Sequence, residues 1–161
     1  MNIYLVGPLF TEAERAWMAV LKRSILNLAE HIGVQVRVHW RYELTTDPEI
    51  IQLGSAAGPE LFKRCMALLE EVDMVIALLD GPIVDDGTAW EIGYFYRMHR
   101  LNPRPIIGIR TDARSGGEFP NVQVNIMIEY SCDQIAKSQD EALKLLEGYL
   151  MRSDVLSQDK F

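Results

Sequence analysis

Six apolar residues, Met74-Val75-Ile76-Ala77-Leu78-Leu79, follow Asp73 without a polar interruption. A strand with one wet face alternates apolar and polar positions. A continuous run of this length is the pattern of a strand covered on both faces, and such strands belong to parallel sheets flanked by helices. We take residues 73–79 as the central strand. Around it, Ile3-Tyr4-Leu5-Val6 is a second short apolar run, closed by Gly7-Pro8, and Pro105-Ile106-Ile107-Gly108-Ile109 is a third. Val34-Gln35-Val36-Arg37-Val38 alternates with period two, as a half-buried strand does. A fifth strand is expected within residues 122–128.

Between these runs lie helical patterns. Ala16, Val20, Leu21, Ile25 and Leu28 recur at helical spacing in a helix expected over residues 11–30, which Gly33 ends. Further helices are expected over residues 60–71, 88–100 and 140–151, and the stretch 41–59 is read as mostly loop or irregular helix, long enough for a connector to suggest a functional role. Strands alternating with helices give an α/β fold: one doubly wound, mainly parallel five-stranded sheet with helices on both faces, Rossmann- or flavodoxin-like. At 161 residues the chain has the length of one domain, read as residues 1–152 with a polar tail over residues 153–161. In such sheets ligands bind beyond the carboxyl ends of the strands, so residues 7–11, 80–91 and 110–114 are expected to surround one crevice.

Composition narrows the partners. With 16 basic and 23 acidic residues the net charge is −7, which offers no basic stripe to a nucleic-acid polymer. No apolar segment reaches the ~18 residues of a membrane helix, and the N-terminus lacks the pattern of a signal peptide, so a cytoplasmic protein with no membrane partner is expected. Cys65 and Cys132 are read as free thiols, and no Cys/His spacing suggests a metal. The dinucleotide and P-loop glycine patterns are absent, His31, His39 and His99 have no triad partners, and no cofactor is expected.

The stretch Asp85-Asp86-Gly87-Thr88-Ala89-Trp90-Glu91-Ile92-Gly93-Tyr94 gathers carboxylates at the mouth of the expected crevice. Thr88-Ala89-Trp90-Glu91 matches a capping box, with Thr88 as N-cap and Glu91 reaching back to its amide. Glu91 reads equally as a nucleophile or base oriented by a neighbouring acid. Together with Tyr4-Leu5-Val6-Gly7-Pro8-Leu9-Phe10-Thr11-Glu12-Ala13-Glu14-Arg15, this stretch resembles the nucleoside 2-deoxyribosyltransferase family. Two later segments, residues 108–114 and 124–127, add to a likeness that spans about residues 3–130.

The resemblance implies a retaining, two-step exchange. A glutamate, placed by the motif at Glu91, attacks the anomeric carbon of a 2′-deoxynucleoside, expels the base and holds the sugar as an ester until another base attacks. A carboxylate suits this chemistry because the transition state is oxocarbenium-like. The resemblance assigns sugar contact and proton traffic to Asp85, with Asp86 as competitor, and orientation of the nucleophile to Tyr4. It places Gly7, Pro8, Phe10 and Gly87 around the substrate, Phe10 being either a base-stacking or a core residue. Asn125 matches an asparagine donated by a neighbouring subunit, so a homo-oligomer, dimer or hexamer, is implied. One position departs from the family pattern: Cys65 stands where an Asp or Asn contacts the base. The implied ligands are small-molecule nucleosides and nucleobases. Hydrolysis of nucleosides or their 5′-monophosphates is the alternative, disfavoured by the bulk and negative charge of residues 8–12, and a non-catalytic nucleotide-binding module is a third reading.

Overall fold

In the computed structural model, which describes residues 1–158, five strands form one sheet: β1 (Asn2–Val6), β2 (Arg37–Trp40), β3 (Met74–Leu78), β4 (Ile106–Ile109) and β5 (Gln134–Ala136). Their order is β2-β1-β3-β4-β5 and every pairing is parallel. The apolar run chosen as the centre is the middle strand, with all five of its residues buried. Six helices flank the sheet: α1 (Glu12–His31), α2 (Asp47–Leu53), α3 (Ala57–Glu71), α4 (Asp86–Met98), α5 (Ile126–Glu129) and α6 (Gln139–Gln158).

Side-chain alternation sorts the strands into two cores. Ile3, Leu5, Met74, Ile76, Ile107 and Ile109 face α1 and α6, whose inward stripes are Met18, Leu21 and Ile25, and Ala142, Leu146 and Leu150. Tyr4, Val6, Val75, Ala77 and Ile106 face the opposite way, against Leu69 of α3 and Ile92 and Phe95 of α4. Each such aliphatic side chain, fully buried, contributes about 1.5–3 kcal/mol. Tyr4 is thereby directed at α3 and α4 before any functional argument is made. The order reverses between β1 and β3, the switch point beside which ligands bind in sheets of this kind.

Several local expectations change or sharpen. No strand forms over residues 122–128. Asn125 instead caps the short helix α5, accepting a hydrogen bond from the Met127 amide at 2.9 Å, and the fifth strand falls at Gln134–Ala136. The stretch 41–59 takes the irregular-helix form of its two expected states: a 3₁₀ turn at Arg41–Glu43 leads into α2 with Pro48 in its first turn, then a second 3₁₀ turn, and α3 begins at Ala57. β2 starts three residues later than its alternating pattern. Of the tail expected over residues 153–161, the part to Gln158 continues α6, and residues 159–161 lie outside the described residues. On α1 the buried stripe is Met18, Leu21, Ile25 and Ala29, with Val20 turned outward. Gly33, at φ 75°, ends that helix as expected.

Candidate active site

Helix α4 carries the site's central carboxylate, and its start is set by Asp85 rather than Thr88. Asp85 Oδ2 accepts from the Thr88 amide and from Thr88 Oγ1, both at 2.8 Å, so Asp85 is the N-cap and Thr88 the third helical residue. The capping box expected at Thr88 and Glu91 is therefore corrected. A true capping box stands at α1, where Thr11 and Glu14 exchange side-chain bonds with each other's amides. Released from capping, Glu91 falls on the inward stripe Thr88, Glu91, Ile92 and Phe95, at the i, i+3, i+4, i+7 positions that a helix buries. A carboxylate occupies a core position there and is only 5% exposed.

Its partner comes from the middle of the sheet. The Tyr4 phenol, fully buried on β1, donates to Glu91 Oε1 at 3.1 Å. Glu91 Oε2 is sealed from solvent and has no hydrogen-bond partner. Burial lifts the Glu91 pKa above the ordinary carboxylate value and the charge of Asp85 adds to the rise, while Arg41 and the Tyr4 hydroxyl act the other way. Burial, with Glu91 and Cys65 beside it, drives the Tyr4 phenol well above its usual value, so Tyr4 is a fixed donor and not an acid at neutral pH. The Cys65 thiol is raised as well, chiefly by burial.

Glu91 borders a cavity of about 420 Å³ whose walls include Arg41, Leu61, Phe62, Cys65 and Trp90. The size suits a nucleoside-scale ligand. Phe62 and Trp90, with ring centroids 6.0 Å apart, form an aromatic wall, and Trp90 stacks on Tyr94 at 5.3 Å. Gly87 also lines the cavity. A Cβ there would stand 3.1 Å from Arg41 Nη1 and 3.3 Å from Asp85 Oδ2, so the glycine makes room for the guanidinium beside the helix cap.

The structure gathers Tyr4, Cys65, Asp85, Gly87 and Glu91 of the residues singled out in the sequence. The others lie elsewhere. Gly7 and Pro8 are buried, and the bare α-carbon of Gly7 packs where a Cβ would meet that of Leu78 at 3.0 Å, so its smallness serves the junction of α1 and β3. Phe10 is 76% exposed, which fits neither a core residue nor a wall of this cavity. Asp86 is exposed and its Oδ1 accepts from the Gly87 amide at 2.7 Å. Asn125 donates to Glu118 and stands outside the cavity. Residues 110–114 do not join the crevice: they line a separate cavity with Lys137, and Arg110 is tied to the carbonyls of Leu79, Gly81 and Arg114. Cys65 and Cys132 are free thiols.

Arg41, Phe62 and Trp90 were not singled out as site residues. Nothing in local spacing links position 41 to position 91, since the connection is made by the parallel pairing of β2 with β1. For Glu91 a signal was present, because an acid on an apolar helical stripe is costly unless used. Among the described residues no cluster of three or more His, Cys, Asp or Glu is placed to hold a metal ion, and no helix is long and apolar enough to cross a membrane.

Comparison with known proteins bears on the fold and the family. No curated protein sequence matches the chain. Among solved structures, a conserved protein from Enterococcus faecalis V583 is 23% identical, with 93% of this chain and 99% of that one covered and a TM-score of 0.65. A 2-deoxyribosyltransferase from Bacillus psychrosaccharolyticus is 19% identical, covering 89% and 90% of the two chains at a TM-score of 0.62. The CMP N-glycosidase BcmB of Clostridium botulinum is 16% identical, covering 93% and 100% at 0.54. These likenesses establish the fold. The sequence profile described as "Nucleoside 2-deoxyribosyltransferase" matches residues 3–127, more than three quarters of the chain, and the chain belongs to that family.

Proposed function

We infer that the protein is an enzyme of the N-glycosidic bond that transfers 2-deoxyribose between nucleobases by double displacement at Glu91. The observation that carries this reading is the split environment of one carboxylate. Oε1 is anchored by Tyr4 at 3.1 Å, while Oε2 is unpartnered and dry, on a residue that borders a cavity of nucleoside size. A carboxylate so held loses little freedom on attack and is poorly solvated, which favours bond formation to a cationic carbon. In the first step Glu91 Oε2 bonds to C1′ as the C1′–N bond breaks, and the electron pair leaves with the base. In the second, another base attacks C1′ and Glu91 departs as carboxylate. Phe62 and Trp90 offer π-faces to the base.

Asp85, as helix cap beside Glu91, is proposed to meet the sugar hydroxyls and to move protons at the base, with Cys65 close to the base and Gly87 leaving the space. Asn125 is proposed to act in a neighbouring site of a homo-oligomer. The exposed side chains of Met127 (73%) on α5 and of Tyr130 (78%), the residue that ends it, supply apolar surface for such a contact. The reaction fits nucleotide salvage inside the cell and requires no cofactor or metal.

Incubation with a 2′-deoxynucleoside, with and without a second free base, tests the reading. Formation of a new nucleoside is expected. Base release at the same rate with no acceptor, and no new nucleoside, would establish hydrolysis in its place. The 5′-monophosphate is expected to be the poorer substrate, because residues 8–12 after β1 are bulky and carry a negative charge, and Arg15 beyond them is committed to the carbonyls of Leu9 (2.7 Å) and Phe10 (3.0 Å).

A further inference from the structure

An N-glycosidic bond breaks only if the departing base can carry the electron pair. The groups around Glu91 are poorly suited to protonating it. Tyr4 is held on Glu91 and its proton is bound tightly by burial, and Cys65 is a weak donor. Asp85 spends Oδ2 on two bonds to Thr88, which leaves Oδ1 to relay a proton from water to the base only after the base has left as an anion. What the cavity does contain is a cation. Arg41 enters from the 3₁₀ turn after β2, lines the cavity with Glu91, and has its Nε sealed from solvent without a partner.

Several other arginines are committed: Arg15, Arg104 and Arg110 to backbone carbonyls, Arg64 to Glu49 and Glu60, and Arg114 to Asp112. Among the described residues the Arg41 guanidinium forms no ion pair and no hydrogen bond, and Gly87 leaves open the space that it fills. A guanidinium that is half-buried at a cavity wall, with its donors unspent, is a site for an anion or for an oxygen on which negative charge grows.

We propose that Arg41 is the electrophilic catalytic residue for the departing and incoming base, donating to an acceptor atom next to the glycosidic nitrogen, O2 of a pyrimidine or N3 of a purine. This rests on the glycosyl transfer inferred above. As the C1′–N bond breaks, its electron pair spreads onto that acceptor, and Arg41 holds the anion without giving up a proton. The released base takes its proton from water. In the return step the acceptor base loses its N–H proton to water, and Arg41 holds the resulting anion until its nitrogen bonds to C1′ and Glu91 is expelled.

The test compares the wild-type protein with Arg41→Gln and Arg41→Lys on 2′-deoxyuridines carrying methyl, hydrogen, fluoro or nitro at C5, a series of increasingly acidic leaving groups, with 2′-deoxyadenosine and 2′-deoxyinosine alongside. Single-turnover base release is expected to fall about 10²–10³-fold in Arg41→Gln for the least acidic base, the size seen when one preorganised donor is removed. The loss should be less than about 10-fold for the nitro compound, with Arg41→Lys intermediate. An equal loss across the series, or none, overturns the proposal.

Binding supplies an independent readout, through quenching of Trp90 by free 5-nitrouracil as its anion and by uracil. The wild type is expected to prefer the anion and Arg41→Gln to lose that preference. An unchanged preference overturns the placement of Arg41. If the wild type releases base from none of these substrates yet keeps the preference, the reaction reading fails while the anion site stands.

Discussion

Replacing Glu91 with glutamine should make the protein more stable and catalytically dead. The glutamine side chain is nearly isosteric, and its amide oxygen can accept the same Tyr4 bond that Oε1 accepts at 3.1 Å. What changes is the second oxygen, buried and unpartnered. An unpaired buried carboxylate costs several kcal/mol, whereas an unsatisfied neutral amide costs about 1–3 kcal/mol. Against that gain stands the lost attraction of Arg41, which is only partly buried at the cavity wall and so partly screened by solvent, and is therefore held to about 1 kcal/mol or less. The net effect is a stabilisation of about 1–2 kcal/mol at neutral pH. For a domain of this size that raises Tm by about 2–8 °C.

The pH dependence carries the sign. Burial holds the Glu91 pKa of the folded chain above that of an unfolded glutamate. Between those two values the folded state binds the extra proton, so stability is fully present below the unfolded value and declines as pH rises through the folded one. Calorimetry of the wild type should show that decline and Glu91→Gln should lack it. Base exchange, followed by separating the nucleosides, should fall at least about 10³-fold, because an amide is a poor glycosyl nucleophile. A variant that melts lower at neutral pH, or whose stability follows the wild-type pH curve, would refute the argument that the carboxylate is strained by its setting.

Tyr4→Phe removes the single donor to Oε1, leaving both oxygens of a buried carboxylate bare; a destabilisation of about 1–3 kcal/mol is expected in chemical denaturation. The rising limb of its rate–pH profile should also move to higher pH, since the lost bond holds the Glu91 pKa down. Asp85→Asn preserves the cap of α4 and should melt within about 0.5 kcal/mol of wild type, while Asp85→Ala loses about 1 kcal/mol. If both slow the exchange alike, as product analysis would show, the carboxylate has a role beyond capping. Finally, mixing unfolded-and-refolded Glu91→Gln and Asn125→Ala proteins should restore about a quarter of wild-type activity if the two side chains complete one site from different subunits of a dimer. No recovery over either parent would place Asn125 outside the site.

Much of this was legible in the chain. The two fully apolar runs at β1 and β3 announce a parallel sheet, because only a doubly covered strand dispenses with polar positions. Tyr4 and Glu91 could be named from their motifs. Their meeting could not, because it depends on Tyr4 falling on the α3 and α4 face of β1. The T-x-x-E pattern occurs three times, at Thr11, Thr46 and Thr88, and forms a capping box only at Thr11; Thr46 precedes α2 without a side-chain cap bond, and at Thr88 Asp85 offers a competing cap three residues earlier while the core side of α4 claims Glu91. The β5 misplacement has a similar origin. Val122, Val124, Ile126 and Ile128 alternate as a strand would, yet the Asn125 side chain starts a helical turn that this pattern does not reveal. Arg41, separated from Glu91 by fifty residues of sequence, left no local trace.

The division of labour within the crevice also bears on how the protein can change. Tyr4 and Glu91 are anchored on β1 and on the inward stripe of α4, where any alteration disturbs the core. Arg41, Phe62 and Cys65, which face the remainder of the cavity, all lie on the single excursion between β2 and β3. Grafting or randomising that one segment should retune which heterocycle is accepted while the bond-making pair stays in place, so selectivity can be redesigned separately from reactivity.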